Sequence, residues 1–210
     1  MQLNCDLGES YGLYVIGNDE AIMPYLDLAN IACGYHGGDA QHIQKAISLA
    51  KQHNVKIGAH PSYPDKQGFG RRSMQLSNPE LYDHLAFQVA SLQGLCAFQN
   101  TICAYVKPHG ALYHDIVENA EVRDVFFSVV EASPNLEHVV LPAGPWAKEL
   151  VQNAQKHHII VVFEAFADRA YDTTGKLVSR THPNAVLSLS EAIVQAQQIM
   201  TQQVVTCIDG

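Results

Sequence analysis

The sequence predicts an α/β protein in which short parallel strands alternate with longer helices. Two observations lead to this fold class. Short apolar runs alternate with amphipathic segments along all 210 residues, and no Pro/Gly/Ser-rich linker or low-complexity stretch interrupts them. Repeated strand–helix units imply parallel strands joined by right-handed crossovers. Seven such units favour a closed or nearly closed TIM-like barrel, with a doubly wound open sheet as the alternative.

The elements follow one another in a regular order. The predicted strands are the apolar runs Met1–Asp6, Leu28–Cys33, Val55–Ala59, Ile102–Val106, His138–Pro142, Ile159–Ala165 and Val204–Ile208. The predicted helices cover Asp19–Tyr25, Ala40–His53, Pro79–Gln99, Ala120–Ala132, Pro145–His157 and Ser190–Gln202. Asp39, Asn78 and Ser190 are the predicted N-caps of three of them, and Pro79 suits a first helical position.

Composition and charge limit the class of partner. Hydrophobic residues make up 47% of the chain and charged residues 16%, which is enough apolar material for a real core. The formal net charge of -8 argues against nucleic acid or an anionic membrane as the main partner. No apolar run reaches about 18 residues, and the first residues lack the features of a signal peptide. Five cysteines without close pairs fit reduced thiols, so we expect a cytoplasmic protein.

Ionisable residues recur where the predicted strands end. They are Asp6 and Glu9, His36 and Asp39, His60, Lys107 and His109, and Glu164, Asp168 and Arg169. In a parallel barrel these ends open on one face, and active sites are built there. Lys107 follows the apolar pair Tyr105-Val106, and a lysine buried at that point needs an anionic partner, either Asp6 or a substrate. The set as a whole therefore predicts an active site, although Asp39 alone would serve as a helix cap.

The connection from Ser62 to Asn78 is long, which is typical of a lid or binding loop. Arg71 follows Gly68-Phe69-Gly70 in it, and its two-pronged guanidinium could bind a carboxylate. The chain contains neither a Gly-x-x-x-x-Gly-Lys-Ser/Thr phosphate loop nor a Gly-x-Ser-x-Gly nucleophile elbow. An ATP site of the phosphate-loop kind is therefore excluded.

Ligand types for a metal are present without a diagnostic spacing. Asp6, His36, His60 and His109 are residues that bind zinc or another divalent ion. No His-x-x-x-His pair and no cysteine pair at metal spacing occurs. The sequence therefore assigns no metal ligand, and the need for a metal stays open.

Five stretches resemble the LamB/YcsF family and follow the family's order. They are Asn4–Ser10, Ala29–Asp39, Ile57–Asp65, Val106–Tyr113 and Glu164–Tyr171. The resemblance implies a distorted seven-stranded β/α barrel of the glycoside hydrolase/deacetylase type, in agreement with the fold predicted from the residues. It also implies ATP-dependent ring opening of the lactam 5-oxoproline to L-glutamate, with two partner subunits that bind ATP and activate the lactam.

The resemblance also bears on length. Family members run some tens of residues further, through a Cys-x-His-Gly-Asp-like stretch and a last helix. We therefore expect residues 1–210 to form a single barrel domain that lacks a C-terminal, barrel-closing helix.

Ring opening of an activated lactam suggests roles for the candidate residues. It needs a base for the attacking water, stabilisation of developing charge and a proton for the leaving nitrogen. The hypothesis gives Asp6 or His60 the role of base and Lys107 that of charge stabilisation, while His109 acts as acid or orients the carbonyl. Arg71 or Arg169 would hold the substrate carboxylate. The predicted substrate-binding set is completed by Glu9, His36, Glu164 and Asp168.

Two other functions compete with this hypothesis. The first is a metal-dependent amide or carbohydrate deacetylase acting alone, which bound zinc and activity without ATP would favour. The second is a non-catalytic carbohydrate- or small-molecule-binding protein, in which substitutions at the strand ends would change affinity only.

Overall fold

The computed structural model describes residues 1–208 and contains a six-stranded sheet. The strands are β1 (Asn4–Leu7), β2 (Leu28–Ala32), β3 (Lys56–His60), β4 (Cys103–Val106), β5 (His138–Pro142) and β6 (Ile160–Glu164). They lie side by side in chain order, and the pairs from β1 to β5 are parallel. The predicted α/β class with a parallel sheet is therefore confirmed.

Helices connect the strands as the periodicity predicts. They are α1 (Asp19–Ile22, continued by a 3-10 turn over Met23–Tyr25), α2 (Ala40–Gln52), α3 (Asn78–Phe98), α4 (Gly110–Glu118), α5 (Ala120–Ala132), α6 (Ala147–Lys156) and α7 (Leu189–Gln202). Helix α4, which begins directly after the candidate residue His109, is not among the helices predicted from the sequence. Among the described residues, no helix combines the length and apolar character that a membrane crossing requires.

The predicted seventh strand over Val204–Ile208 is wrong. Helix α7 ends at Gln202, and the following Gln203 adopts a left-handed conformation. Beyond it, Cys207 forms only an isolated bridge with Tyr171, whose carbonyl also accepts a hydrogen bond from the Ile208 amide. This apolar run therefore attaches to the segment around Tyr171, and the seven-stranded count is not confirmed within residues 1–208.

Helix caps differ from the predictions by one or two residues. Asp39 caps α2 as expected, accepting hydrogen bonds from the backbone of Gln41 and His42. Helix α3 is capped by Ser77 rather than Asn78, and α7 by Ser188 rather than Ser190. Both serines belong to capping boxes, in which a glutamate three residues later bonds back to the cap. The reciprocal bond explains why these serines are chosen over their neighbours.

The described chain forms two compact units. The sheet unit consists of Gln2–Leu141 and Leu150–Val162, and the tail unit consists of Pro142–Glu149 and the chain from Phe163 onward. In the sheet unit, α3 buries the predicted face formed by Leu81, Leu85, Val89 and Leu92. In the tail unit, the buried Gln195 of α7 donates to the carbonyls of Phe166 and Arg169. The single domain over residues 1–210 stays a prediction.

The first four strands curve strongly. Lys107 directly follows β4, yet its Nζ lies 3.1 Å from Oδ1 of Asp6 on β1. In a flat sheet, strands three positions apart are separated by about 14 Å, well beyond the reach of one lysine side chain. The curvature therefore brings polar side chains from β1 to β4 together on one face.

Gly58 of β3 makes room for a side chain that crosses this strand. Tyr105 of β4 is its register partner, and the Tyr105 hydroxyl donates to Oδ1 of Asn30 on β2 at 2.7 Å. A Cβ atom at Gly58 would overlap the Tyr105 ring. The absence of a side chain at Gly58 therefore allows β2 and β4 to bond to each other above β3.

The same substitution should have opposite effects at two glycines. We expect Gly58→Ala to lower the free energy of unfolding by about 1–3 kcal/mol, because the new methyl group overpacks against Tyr105. Gly94→Ala, on the exposed side of α3 with nothing within 4 Å of the new Cβ, should raise it by about 0.5–1 kcal/mol. Denaturant unfolding of both variants measures the difference. A Gly58→Ala protein as stable as the parent would contradict the crossing.

Candidate active site at the carboxyl ends of the strands

Six predicted site residues lie together where β1 to β4 end. They are Asp6 on β1, Glu9 just after it, His36 after β2, His60 at the end of β3, Lys107 directly after β4 and His109 at the N-cap of α4. Five are buried, and the Asp6 side chain is 35% exposed. The site is therefore a largely buried set of charges and imidazoles with one carboxylate open to solvent.

Lys107 is held by a polar network on the sheet. Its Nζ donates to Oδ1 of Asn4 and Oδ1 of Asp6, both at 3.1 Å. The Asn30 amide donates to the same two oxygens at 2.7 and 2.8 Å, and the Tyr105 hydroxyl orients Asn30. The network fixes the ammonium and the carboxylate as an ion pair.

Asn4, Asn30 and Tyr105 belong to this network but are not among the site residues predicted from the sequence. A signal was available for the two asparagines. Asn4 and Asp6 are two residues apart on one strand and so face the same side, and Asn30 is the register partner of Asp6 on the next strand. Burying a polar residue inside an apolar strand costs free energy unless the residue is hydrogen-bonded. Two polar residues at facing positions of neighbouring strands therefore indicate a hydrogen-bonded pair.

The charges around Asp6 favour its ionised form. Burial opposes ionisation, but the neighbouring His60 and Lys107 outweigh it and hold the pKa of Asp6 well below its usual range. Burial likewise opposes a charge on His60, and the Asp6 carboxylate overcomes this and raises the pKa of His60. The Asp6 carboxylate lies 3.4 Å from Nε2 of His60. Negative charge is thus concentrated on Asp6, beside the Lys107 ammonium and the His60 ring.

Glu9, His36, His60 and His109 form a second group, here called the imidazole cluster. His36 Nε2 lies 3.0 Å from Glu9 Oε1, and His109 Nδ1 lies 3.0 Å from His60 Nε2 and 3.5 Å from Glu9 Oε1. The His36 and His109 rings stack in parallel with centroids 3.7 Å apart. Burial lowers the pKa of His109 to about 2, assisted by His36 and His60, and also lowers the pKa of His36. His36 and His109 are therefore neutral at physiological pH.

Glycines bring the chain segments of the imidazole cluster into contact. The Gly38 amide donates to the Glu9 carbonyl at 2.9 Å, and a Cβ at Gly37 would lie 2.7 Å from the same oxygen. Gly38 has φ +80°, a conformation that other residues rarely adopt. The loop that carries His36 therefore packs directly against the backbone of Glu9, which sets the contact between their side chains.

The long connection after β3 covers the imidazole cluster. Phe69 accepts a hydrogen bond on its carbonyl from His109 Nε2 at 2.9 Å, and its ring meets the His36 and His109 rings edge-on. Phe69 has φ +54°, which is uncommon outside glycine and asparagine. Gly70 follows it, and a Cβ there would lie 2.9 Å from atoms of both His36 and His109. The backbone of this loop thus forms a close roof over the imidazoles.

The roof is tied to α4. Tyr63 and Ser73 donate to the two carboxylate oxygens of Asp115 at 2.8 and 3.0 Å, and the Ala111 amide donates to the Gly70 carbonyl. Arg71 is exposed, with its guanidinium 5.0 Å from the Phe69 ring centroid. The predicted binding loop is thus an anchored element with an exposed arginine at the rim of the imidazole cluster.

Three predicted site residues belong to the tail unit. Arg169 is buried and donates from Nε to the Ala185 carbonyl at 3.1 Å and from Nη2 to the Val178 carbonyl at 2.7 Å. These bonds give Arg169 a structural task within that unit. Glu164 is half-buried at the end of β6, and Asp168 is exposed.

Comparison with known proteins identifies relatives over the whole chain. A model of the LamB/YcsF family matches residues 1–210. The A subunit of 5-oxoprolinase from Vibrio cholerae is 46% identical over 213 residues, covering 100% of this chain and 85% of the relative. The corresponding A subunit of 5-oxoprolinase from Bacillus cereus is 41% identical over 212 residues, covering 100% of this chain and 83% of the relative.

A solved structure agrees with these relatives. The crystal structure of a lactam utilization protein from Thermus thermophilus has a TM-score of 0.89 and 38% sequence identity. The match covers 100% of this chain and 84% of that chain. The family model matches every residue of the chain, and the two A subunits are 46% and 41% identical to it over its full length. The chain therefore belongs to the LamB/YcsF family.

Proposed function

We propose that this chain is the ring-opening subunit of an ATP-dependent 5-oxoprolinase, which hydrolyses 5-oxo-L-proline to L-glutamate. The observation that carries the proposal is the 41–46% identity, over nearly the whole chain, to proteins named as the A subunit of 5-oxoprolinase. The lactam named in the structural relative supports the same substrate class. The buried ion pair and imidazoles at the strand ends supply the acid, base and cationic groups that lactam hydrolysis needs.

The division of labour with partners follows from lactam chemistry. A lactam resists hydrolysis because its nitrogen donates electron density into the carbonyl, and phosphorylation of the carbonyl oxygen would remove that resistance. The sequence contains no phosphate loop. We therefore assign ATP, as co-substrate, to two partner subunits that activate the lactam, and hydrolysis of the activated ring to this chain.

The ion pair provides the first part of the proposed machinery. Lys107 presents a positive charge fixed by Asn4 and Asp6, suited to stabilise the oxyanion or the phosphate of the activated lactam. The Asp6 carboxylate is partly exposed and remains ionised beside this ammonium, so it can accept a proton from an attacking water. His60, 3.4 Å from Asp6, is the alternative base.

The second part positions the substrate. His109 lies against both His60 and Glu9 and is neutral at physiological pH, so of its two predicted roles, acid and orientation of the carbonyl, the second fits it better. Arg71 is the preferred partner of the substrate carboxylate, because it is exposed at the rim of the imidazole cluster while Arg169 bonds to backbone carbonyls. Glu9 and His36 would shape the wall of the site, and the substrate-binding roles of Glu164 and Asp168 stay predictions from the sequence.

A metal-dependent amide or carbohydrate deacetylase acting alone is the second candidate. The convergence of three histidines and one glutamate in the imidazole cluster favours it, since such sets bind catalytic zinc. The two functions differ in what they require. A deacetylase works without ATP and without partners, whereas ring opening of 5-oxoproline needs both.

Reconstitution separates these functions directly. We expect glutamate release from 5-oxoproline only when this chain, two partner subunits from a close relative's system and ATP are all present. The measurement is glutamate formation by each single component, each pair and the complete mixture. Turnover of an acetylated substrate by this chain alone, without ATP, would instead establish the deacetylase.

Replacing Lys107 tests the charge at the centre of the network. Lys107→Met should lower kcat for ring opening by at least about 100-fold, because the fixed positive charge is lost from the transition state. Lys56→Met, at the exposed start of β3, is the matched control and should leave kcat unchanged. Circular dichroism verifies that both variants fold. Normal turnover by a folded Lys107→Met protein in the reconstituted complex would remove Lys107 from the mechanism.

Arg71 can be tested through substrate affinity. Arg71→Ala should raise KM for 5-oxoproline by about 10- to 100-fold, because loss of a charge-assisted hydrogen bond to the substrate carboxylate weakens binding by about that factor. The effect on kcat should be smaller. Arg180→Ala, at an exposed position of the tail unit, serves as control. If KM responds to neither substitution, the carboxylate is bound by another group, and Arg169 becomes the next candidate.

A further inference from the structure

Two imidazoles of the imidazole cluster turn their lone pairs toward each other. A backbone carbonyl can only accept a hydrogen bond, so His60 must donate from Nδ1 to the Lys107 carbonyl at 2.7 Å. For the same reason His109 must donate from Nε2 to the Phe69 carbonyl at 2.9 Å. In the neutral rings, the remaining nitrogens, His60 Nε2 and His109 Nδ1, both carry lone pairs and lie 3.0 Å apart. Such a contact is repulsive unless a cation lies between or beside the two nitrogens.

Further donors surround this pair. Glu9 Oε1 lies 3.5 Å from His109 Nδ1 and 3.0 Å from His36 Nε2. One ligand atom from each of the four residues falls within 4.8 Å of all the others. A tetrahedral ion with bonds of about 2.1 Å holds its ligand atoms about 3.4 Å apart. The separations of 3.0, 3.0 and 3.5 Å lie within a few tenths of an ångström of that value, and the others, which reach at most 4.8 Å, would shorten as the ligands close on an ion.

One ligand needs a larger adjustment. The His36 and His109 rings are parallel, at an angle of 4° and with centroids 3.7 Å apart, so they cannot both point at one ion as they stand. A tilt of His36 toward the ion would correct this. Its Nδ1 is buried and has no hydrogen-bond partner among the described residues, so no bond at that atom resists the tilt.

The charge balance also calls for a cation. Asp6 and Glu9 contribute two carboxylates, and Lys107 contributes a buried ammonium that pairs with Asp6. Counted with neutral imidazoles, these groups carry one net negative charge, which is costly away from water. A proton shared by His60 and His109 would balance this negative charge, but a shared proton requires only these two imidazoles. The convergence of a third imidazole and a carboxylate on the same point favours a metal ion.

We infer that the imidazole cluster binds one divalent ion of the zinc class, with Glu9, His60 and His109 as ligands and His36 as the fourth. The carbonyls of Lys107 and Phe69 act as the outer partners that fix each ring, as is usual for metal-bound histidines. The ion would occupy the same site as the proposed ring opening, and with it bound His60 and His109 would be ligands, which leaves Asp6 as the base. The inference rests on that site's geometry, and metal binding can be measured without turnover.

Zinc and cobalt are the probes. The chain is stripped with a chelator and titrated with Zn²⁺ against a chromophoric chelator, and Co²⁺ is bound separately to record its visible spectrum. We expect one Zn²⁺ per chain and cobalt bands typical of nitrogen and oxygen ligands. Loss of an outer partner weakens metal binding about 10- to 100-fold, so loss of a ligand should weaken it by more than about 100-fold.

Two variants remove a ligand atom and keep its structural bond. His60→Asn retains a donor that can reach the Lys107 carbonyl but removes Nε2. His109→Gln retains a donor for the Phe69 carbonyl but removes Nδ1. His157→Ala is the control, because His157 pairs with the carboxylate of Glu131 outside the imidazole cluster. We expect the first two to lose zinc affinity and the third to keep it.

The outcomes separate the metal from the proposed function. Zinc binding well below one ion per chain, together with no cobalt spectrum for the unmodified protein, would overturn the inference and leave a shared proton between His60 and His109. Undiminished binding by folded His60→Asn and His109→Gln proteins would also overturn it. If a variant does not fold, the cobalt spectrum of the unmodified chain decides. If zinc binds at the imidazole cluster but the complete mixture releases no glutamate, only the ring-opening proposal is contradicted.

Discussion

The candidate site depends on how one buried ammonium is accommodated. The Lys107 side chain is 4% exposed, and a charge in that position costs several kcal/mol unless it is paired and hydrogen-bonded. Asp6 and Asn4 supply the acceptors, Asn30 holds both, and Tyr105 holds Asn30 through the space that Gly58 leaves. The contact joins Lys107, directly after β4, to Asp6 on β1. One interaction therefore both pairs the buried charge and links the first and fourth strands of the curved sheet.

The overall class and the location of the site could be predicted because they depend on local patterns. Buried parallel strands appear as short apolar runs, and the residues that end them are recognisable as polar exceptions. Helix α4 was harder to predict because it starts with Gly110, and His109 provides no side-chain cap. The run Val204–Ile208 has the composition of a strand, and composition does not reveal whether an edge of the sheet is available to it.

Partner choice within the site could not be predicted, for a different physical reason. Asn30 bonds to Asp6 because the register of β1 against β2 places them opposite each other, and Tyr105 reaches Asn30 because a glycine intervenes. Register and side-chain direction depend on the whole sheet. The facing nitrogens of His60 and His109 likewise depend on which backbone carbonyls lie behind each ring. Residue type suggests these groups, and only the three-dimensional arrangement gives their protonation pattern.

The placement of Arg71 has a consequence for how the family could diversify. The groups proposed to carry out the chemistry sit on or beside four strands and share hydrogen bonds, so changing one disturbs the others. Arg71 is exposed on a loop that Tyr63 and Ser73 anchor to α4 independently of it. On the proposed assignment, recognition of the substrate carboxylate and ring opening are carried by different parts of the chain. Substrate range could evolve by exchanging this rim residue, while the interior remains under selection as a unit.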